Sequence, residues 1–112
     1  MKIEKTIRLD DGQRIYVMGK VYPSTLNLHL QEYKNTLEWD CEMIKQLALR
    51  RYMRYHCDEL SDWLKQYNCE TTKWVNPNIY DAPPLSNVIN FDWGIGFRHN
   101  DPKETIFTLR WS

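Results

Sequence analysis

Two separate apolar seams run through the middle of this chain, and together they constrain its fold more than any other feature. From Asn35 to Tyr67 the sequence has helical periodicity. Leu37, Cys41, Ile44, Ala48, Tyr52 and Tyr55 recur at three- and four-residue steps. So do Leu49, Met53, His56, Leu60, Trp63 or Leu64, and Tyr67. At 100° per residue the seams sit roughly 120° apart, so one straight helix cannot lay both on one flat surface. A continuous helix here would run about 48 Å, while a compact domain of this length is only about 35 Å across. A break near His56–Asp58 is therefore expected, giving a long helix followed by a shorter one.

The flanking segments read as strands. Lys2–Leu9 alternates, with Ile3, Ile7 and Leu9 on one face; Asp11-Gly12 is a turn signal. Arg14–Tyr22 resumes the alternation through Ile15, Val17 and Val21, and Pro23-Ser24 interrupts it. Leu26, Leu28 and Leu30 alternate with polar residues and suggest a third strand. Asn35-Thr36-Leu37-Glu38 has the form of a capping box. Asp58 or Ser61 suits the N-cap of the second helix, and Asn68 its stop. The breaker-rich Asn76–Pro84 stretch is a long loop, a place where function concentrates. Val88–His99 reads as the strongest strand, with Ile89, Phe91, Trp93, Ile95 and Phe97 on one face. Gly94 and Gly96 leave the other face bare, which permits a bulge, curvature or close approach of a second backbone. Asn100–Glu104 then forms a hairpin loop, and Phe107, Leu109 and Trp111 mark a return strand. The expected architecture is α+β, a two-layer sandwich within one domain spanning residues 1–112. Its antiparallel sheet has about five strands in the chain order β-β-β-α-α-β-β, with the helices packed on one face.

Composition narrows function mainly by exclusion. Fifteen basic and fifteen acidic residues leave no net charge, against non-specific nucleic-acid binding. No apolar run approaches the roughly 18 residues of a membrane span. The first residues, Met1-Lys2-Ile3-Glu4-Lys5, lack the apolar core of a signal peptide. Cys41, Cys57 and Cys69 are odd in number and unpaired in spacing, which suits free thiols in a reducing cytoplasm. They form no metal-binding pattern with His29, His56 and His99, so no metal and no cofactor is expected. No nucleophile, phosphate-loop or paired-carboxylate motif occurs, and no catalytic residue is assigned.

The aromatic content points elsewhere. Five Trp, seven Tyr and three Phe exceed what a small core hides easily, and exposed rings anchor protein interfaces. Trp74, Tyr80 and Asp81 lie on or beside the long loop. Asp92 and Arg98 flank the two glycines, and Asp58, Glu59 and Asp62 cluster around the helix break. These eight are the candidate partner-binding residues. Arg50, Arg51 and Arg54 with Tyr55 make the one basic cluster with interleaved aromatics, a candidate phosphate-gripping face.

The closing segment Asn90-Phe91-Asp92-Trp93-Gly94-Ile95-Gly96-Phe97-Arg98, with the order of elements, resembles small bacterial immunity domains. The resemblance covers about the last quarter of the chain. It implies a cytosolic, non-enzymatic protein that binds and neutralises a toxin delivered by a competing cell. Small phage-encoded inhibitors of host defence, including anti-CRISPR proteins, share the same size, neutrality and aromatic richness. The expected function is therefore a protein-binding inhibitor that docks on a toxin or defence enzyme and blocks it. The alternative is a nucleic-acid-binding regulator using Arg50, Arg51 and Arg54.

Overall fold

A computed structural model describes residues 1–33 and 42–112. The capping box at Asn35-Thr36-Leu37-Glu38 and the seam positions Leu37 and Cys41 lie outside the described residues. The fold is α+β. Strands β1 (Lys5–Arg8) and β2 (Arg14–Val21) are followed by helices α1 (Pro23–Gln31), α2 (Glu42–His56) and α3 (Asp58–Gln66). Strand β3 (Thr71–Val75), a 3₁₀ turn (Pro77–Asp81), β4 (Phe91–Phe97) and α4 (Lys103–Trp111) complete it. The sheet is antiparallel throughout, in the spatial order β1-β2-β4-β3.

The Asp11-Gly12 turn closes the β1–β2 hairpin as its sequence implies. Gly12 adopts φ +86, its N–H donates to Leu9 O at 2.9 Å, and Asp11 Oδ1 accepts from the Gln13 N–H at 2.9 Å. The helix break falls within the expected His56–Asp58, although α2 alone buries members of both seams, Ile44 and Ala48 with Leu49 and Met53. Cys57, at φ −140 and ψ 53, separates α2 from α3 and lets Leu49 and Met53 on one helix and Leu60 and Leu64 on the next bury together. The whole molecule measures 36 × 28 × 27 Å, so an unbroken helix would overrun it. Asn68 ends α3 in the left-handed region, and the Cys69 N–H reaches back to Leu64 O at 2.9 Å.

Two expected strands are helices instead, and the sheet has four strands, not five. Leu26–Leu30 belongs to α1: Pro23 occupies its first turn, where a missing N–H costs nothing, and Leu is a better helix former than strand former. Leu26, His29 and Leu30 are buried at three- and four-residue steps, leaving Leu28 70% exposed. The expected return strand is α4. Asp101 Oδ1 accepts from the Lys103 N–H at 2.9 Å, Glu104 lies in the first turn and Arg110 in the last, the charge order a helix dipole favours. Phe107 and Trp111 are then buried one turn apart, and Leu109 faces solvent at 77% exposure. The last strand of the sheet begins at Phe91, later than the expected Val88. Strand β3 was not anticipated.

Phe91, Trp93, Ile95 and Phe97 of β4 share the helix-facing side with Tyr16, Met18 and Val21 of β2. All four helices of the described chain meet these residues in one hydrophobic cluster, through Leu26, Ile44, Leu49, Leu60, Phe107 and Trp111 among others. Tyr16 donates from its hydroxyl to Glu104, which also pairs with Arg14 at 2.7 Å, fixing α4 to β2. On the opposite side Gly94 and Gly96 let β2 lie close. A Cβ at Gly94 would stand 2.3 Å from Tyr16 O, and one at Gly96 would meet the tips of Ile15 and Gln13 at 2.7 and 2.9 Å. Backbone cannot yield as a side-chain tip can. Gly94→Ala is therefore expected to cost about 3 kcal/mol in urea unfolding and Gly96→Ala only about 1 kcal/mol; equal costs at the two sites would contradict this packing.

Candidate functional site

The residues singled out in the sequence are distributed over three places. A cavity of about 870 Å³ is a cleft between α2, α3 and the edge strand β3. Arg50 and Arg54, one turn apart on α2, line one wall, and Asp62 and Lys65 on α3 line another. Asn68, Cys69, Glu70, Thr71 and Lys73 close it from the β3 side. Among the described residues Arg50, Arg54, Asp62 and Lys65 make no ion pair.

Lys73 is the unusual member. It pairs in register with Ile95, so it stands on the helix-facing side of β3, a half-buried cation beside the core. Its Nζ donates to Thr71 Oγ1 at 2.6 Å and to Thr71 O at 3.2 Å, with no carboxylate partner among the described residues. Burial, reinforced by the nearby Arg50 guanidinium, pushes its pKa down. Sequence reading missed Lys73 because the strand carrying it was missed. The signal was the alternation of Thr71, Lys73 and Val75 against Thr72 and Trp74.

A second site is a groove of about 420 Å³ between α1 and the 77–84 segment, lined by Pro23, Leu26, Leu30, Ile79, Tyr80 and Pro84 among others. Asn76 opens this segment by accepting the Asn78 N–H on its Oδ1 at 3.0 Å. Ser86 O accepts from the Ser24 N–H at 3.0 Å, tying the segment to the start of α1. Lys45 Nζ sits 4.5 Å from the Tyr80 ring centroid, and burial pushes the Tyr80 hydroxyl up to about 12. Further along the chain from the groove-lining Pro84, Leu85, Val88 and Ile89 are 79%, 84% and 57% exposed. Sequence reading placed Ile89 in the core face of a strand; it is a surface residue of this loop.

The third place is the α1–α2 seam. His29, 8% exposed, packs against the rings of Tyr52, Tyr55 and His56 at centroid distances of 5.7 to 5.9 Å. Arg51 belongs here too: it pairs with Glu32 at 3.4 Å and lies over the Tyr55 ring at 4.9 Å. Arg51 and Tyr55 thus face α1, away from the cleft that Arg50 and Arg54 line.

The remaining candidates have structural partners or stand apart. Asp92 is held by Lys5 at 2.9 Å and Lys20 at 3.4 Å, a clip across β1, β2 and β4 whose hydrogen bond from Lys5 lowers its pKa. Arg98 pairs with Glu70 at 3.7 Å and Glu59 with Arg110 at 2.8 Å. Asp58 Oδ1 accepts from the Glu59 N–H at 2.9 Å as α3 begins. Trp74 is half-buried on the sheet side opposite the helices, and Asp81 is exposed beside Tyr80. The exposed tyrosines Tyr22, Tyr55, Tyr67 and Tyr80 do not form one patch: Tyr67 stacks on Trp63, Tyr55 on the His29 cluster, and Tyr80 borders the groove.

Burial pushes the Cys57 and Cys69 thiols up, away from the thiolate a nucleophile needs. Among the described residues no three His, Cys, Asp or Glu side chains come together as a metal site would require. No described helix is long and apolar enough to cross a membrane. No protein-family model matches the chain, and no curated protein or solved structure matches it either.

The buried histidine makes folding pH-dependent. Burial, then the facing His56 and Arg51, lower its folded pKa below the ordinary 6.5, while Glu32 opposes. The unfolded chain therefore takes up this proton first. Stability present above about pH 6.5 is expected to fall as the pH drops through that value toward the lower folded pKa. Urea unfolding between pH 7.5 and 5.5 should show this slope in the wild type and a shallower one in His29→Phe. Identical slopes would mean the proton is taken up elsewhere.

Proposed function

We propose that this protein is a non-enzymatic binding module that docks on a partner protein and blocks its activity through the α1 groove and the aliphatic loop beside it. One observation carries this reading: Leu85, Val88 and Ile89 are presented to solvent on a segment joined to the start of α1 by the Ser24–Ser86 backbone hydrogen bond. Exposed aliphatic side chains near an open apolar groove remove apolar surface from water on both partners when they associate. Tyr80 supplies an aromatic anchor at the groove edge, and Lys45 and Asp81 supply a polar rim. The occupant that fits is a protein surface offering an apolar side chain for the groove and a basic residue for Asp81. A toxin is the class of partner the resemblance to immunity domains implies, and a host defence enzyme the class that the profile shared with phage-encoded inhibitors implies. The nucleic-acid alternative is less well supported, because Arg51 and Tyr55 are engaged with α1 on a different side of α2 from Arg50 and Arg54.

The test pairs two sets of surface changes. Tagged wild-type protein is expected to retain one stoichiometric partner from its native host and to inhibit that partner once purified. Leu85→Asp with Val88→Asp should weaken the complex at least about tenfold, while changing stability by no more than about 0.5 kcal/mol. Arg50→Glu with Arg54→Glu should leave it intact. Undiminished binding by the aspartate variant would reject the reading, as would self-association of the chain as the one interaction lost.

A further inference from the structure

The cleft between α2, α3 and β3 carries chemistry that docking at the groove does not use. Its lining holds four cations, Arg50, Arg54, Lys65 and Lys73, against two carboxylates, Asp62 and Glu70. Glu70 is already paired with Arg98. The excess is therefore at least two positive charges around one concave space. Lys73 is the informative group. A lysine turned inward on an edge strand also discourages strand pairing with another chain, and that role alone would be served by an ammonium that reaches a carboxylate or open water. Here the ammonium is retained beside the core, tethered by the two Thr71 oxygens, with a second cation, Arg50, near it and no carboxylate paired with it among the described residues. Two like charges held together in a cleft are at their most favourable when an anion lies between them.

The donor set narrows the anion. Arg50 and Arg54 offer planar forks one helical turn apart, and Lys73 offers a spare N–H. Ser61, Thr71 and Asn68 add hydroxyl and amide groups within the same wall. That is a set for an anion with several acceptor oxygens and two charges. At about 870 Å³ the space also exceeds what a bare oxyanion fills, leaving room for an organic group. We propose that the cleft binds a phosphate ester, with its oxygens between Arg50, Arg54 and Lys73 and its organic group toward Asn68 and Cys69. This site is independent of the docking surface and shares no lining residue with the groove.

Titration of the full chain with adenosine 5′-monophosphate, a short oligothymidylate and a polyglutamate peptide, followed by amide chemical shifts and calorimetry, tests this. Saturable binding of either phosphate ester is expected, with shifts centred on Arg50, Asn68, Thr71 and Lys73. Affinity should fall at least tenfold in Arg50→Gln and in Lys73→Met. Lys73→Met removes a desolvated ammonium, so it should fold with an unchanged or higher Tm, separating lost binding from lost structure. If the oligothymidylate binds more tightly, the phosphate comes from a nucleic-acid strand; if the mononucleotide does, it comes from a free ester. Either result supports the site. Equal binding of polyglutamate, unsaturable shifts, or undiminished affinity in Lys73→Met would overturn it. Leu85→Asp with Val88→Asp should bind the nucleotide like wild type, so failure of one surface is distinguishable from failure of the other.

Discussion

The asymmetry of β4, with Phe91, Trp93, Ile95 and Phe97 on one side and Asp92, Gly94 and Gly96 on the other, decides which face of the sheet the helices can cover. Large rings on the first side offer the apolar area that α1, α2, α3 and α4 need to bury. On the second side there is no bulk to pack against, and the β2 backbone comes so close to Gly94 that no side chain fits. Ile15 lies over this bare stretch and is fully buried there. The bulge between Val17 and Gly19 then shifts the register of β2 by one residue, so that Val21 faces the helices with Tyr16 and Met18. Removing the glycines would therefore disturb both layers at once.

This arrangement also fixes the setting of Lys73. Because Ile95 faces the helices, its register partner on β3 must do so as well, and at the edge of the sheet that position looks toward α2 rather than into the middle of the core. An apolar residue would complete the wall there. A lysine instead places a charge at the boundary between core and cleft, opposite the side of α2 that carries Arg50 and Arg54. The cleft is thus a consequence of strand register and helix phase together.

Much of the middle and of the first hairpin was legible in the sequence, because those signals are local and redundant. Asp11-Gly12 specifies a tight turn, and one helix from Asn35 to Tyr67 is too long for a domain of this size. The two mistaken strands failed for one shared reason. Leu26, Leu28 and Leu30, like Phe107, Leu109 and Trp111, alternate over five residues, and five residues cannot separate a period of two from one of 3.6. End signals decided both cases: Pro23 before the first segment, and Asp101-Pro102 with Glu104 before the second. Arg50 and Arg54 were recognisable as one helix face. Arg51 could not be separated from them, since its partner Glu32 sits on another helix and only tertiary packing brings the two together. Lys73 and the aliphatic loop were illegible for a similar reason: whether a lysine faces a core, or Val88 faces solvent, depends on where a neighbouring strand begins.

Helix α2 contributes to both candidate surfaces, and its geometry keeps them apart. Lys45 borders the groove, while Arg50 and Arg54 line the cleft, five and nine residues further on. At 100° per residue those positions lie about 140° and 180° around the helix from Lys45. Lys45 leaves from the middle of the buried side, with Ile44 and Ala48 about 100° and 60° to one side of it and Leu49 and Met53 about 40° and 80° to the other, whereas Arg50 and Arg54 leave from the opposite side. Coupling two sites requires an element with two packings of similar energy. Helix α2 is packed along its apolar face, and α1 meets it through the Arg51–Glu32 pair and the His29 ring cluster. An anion entering the cleft would neutralise Lys73 and Arg50 where they stand. If both surfaces bind as proposed, their free energies are expected to add, since the cleft and the groove share no lining residue.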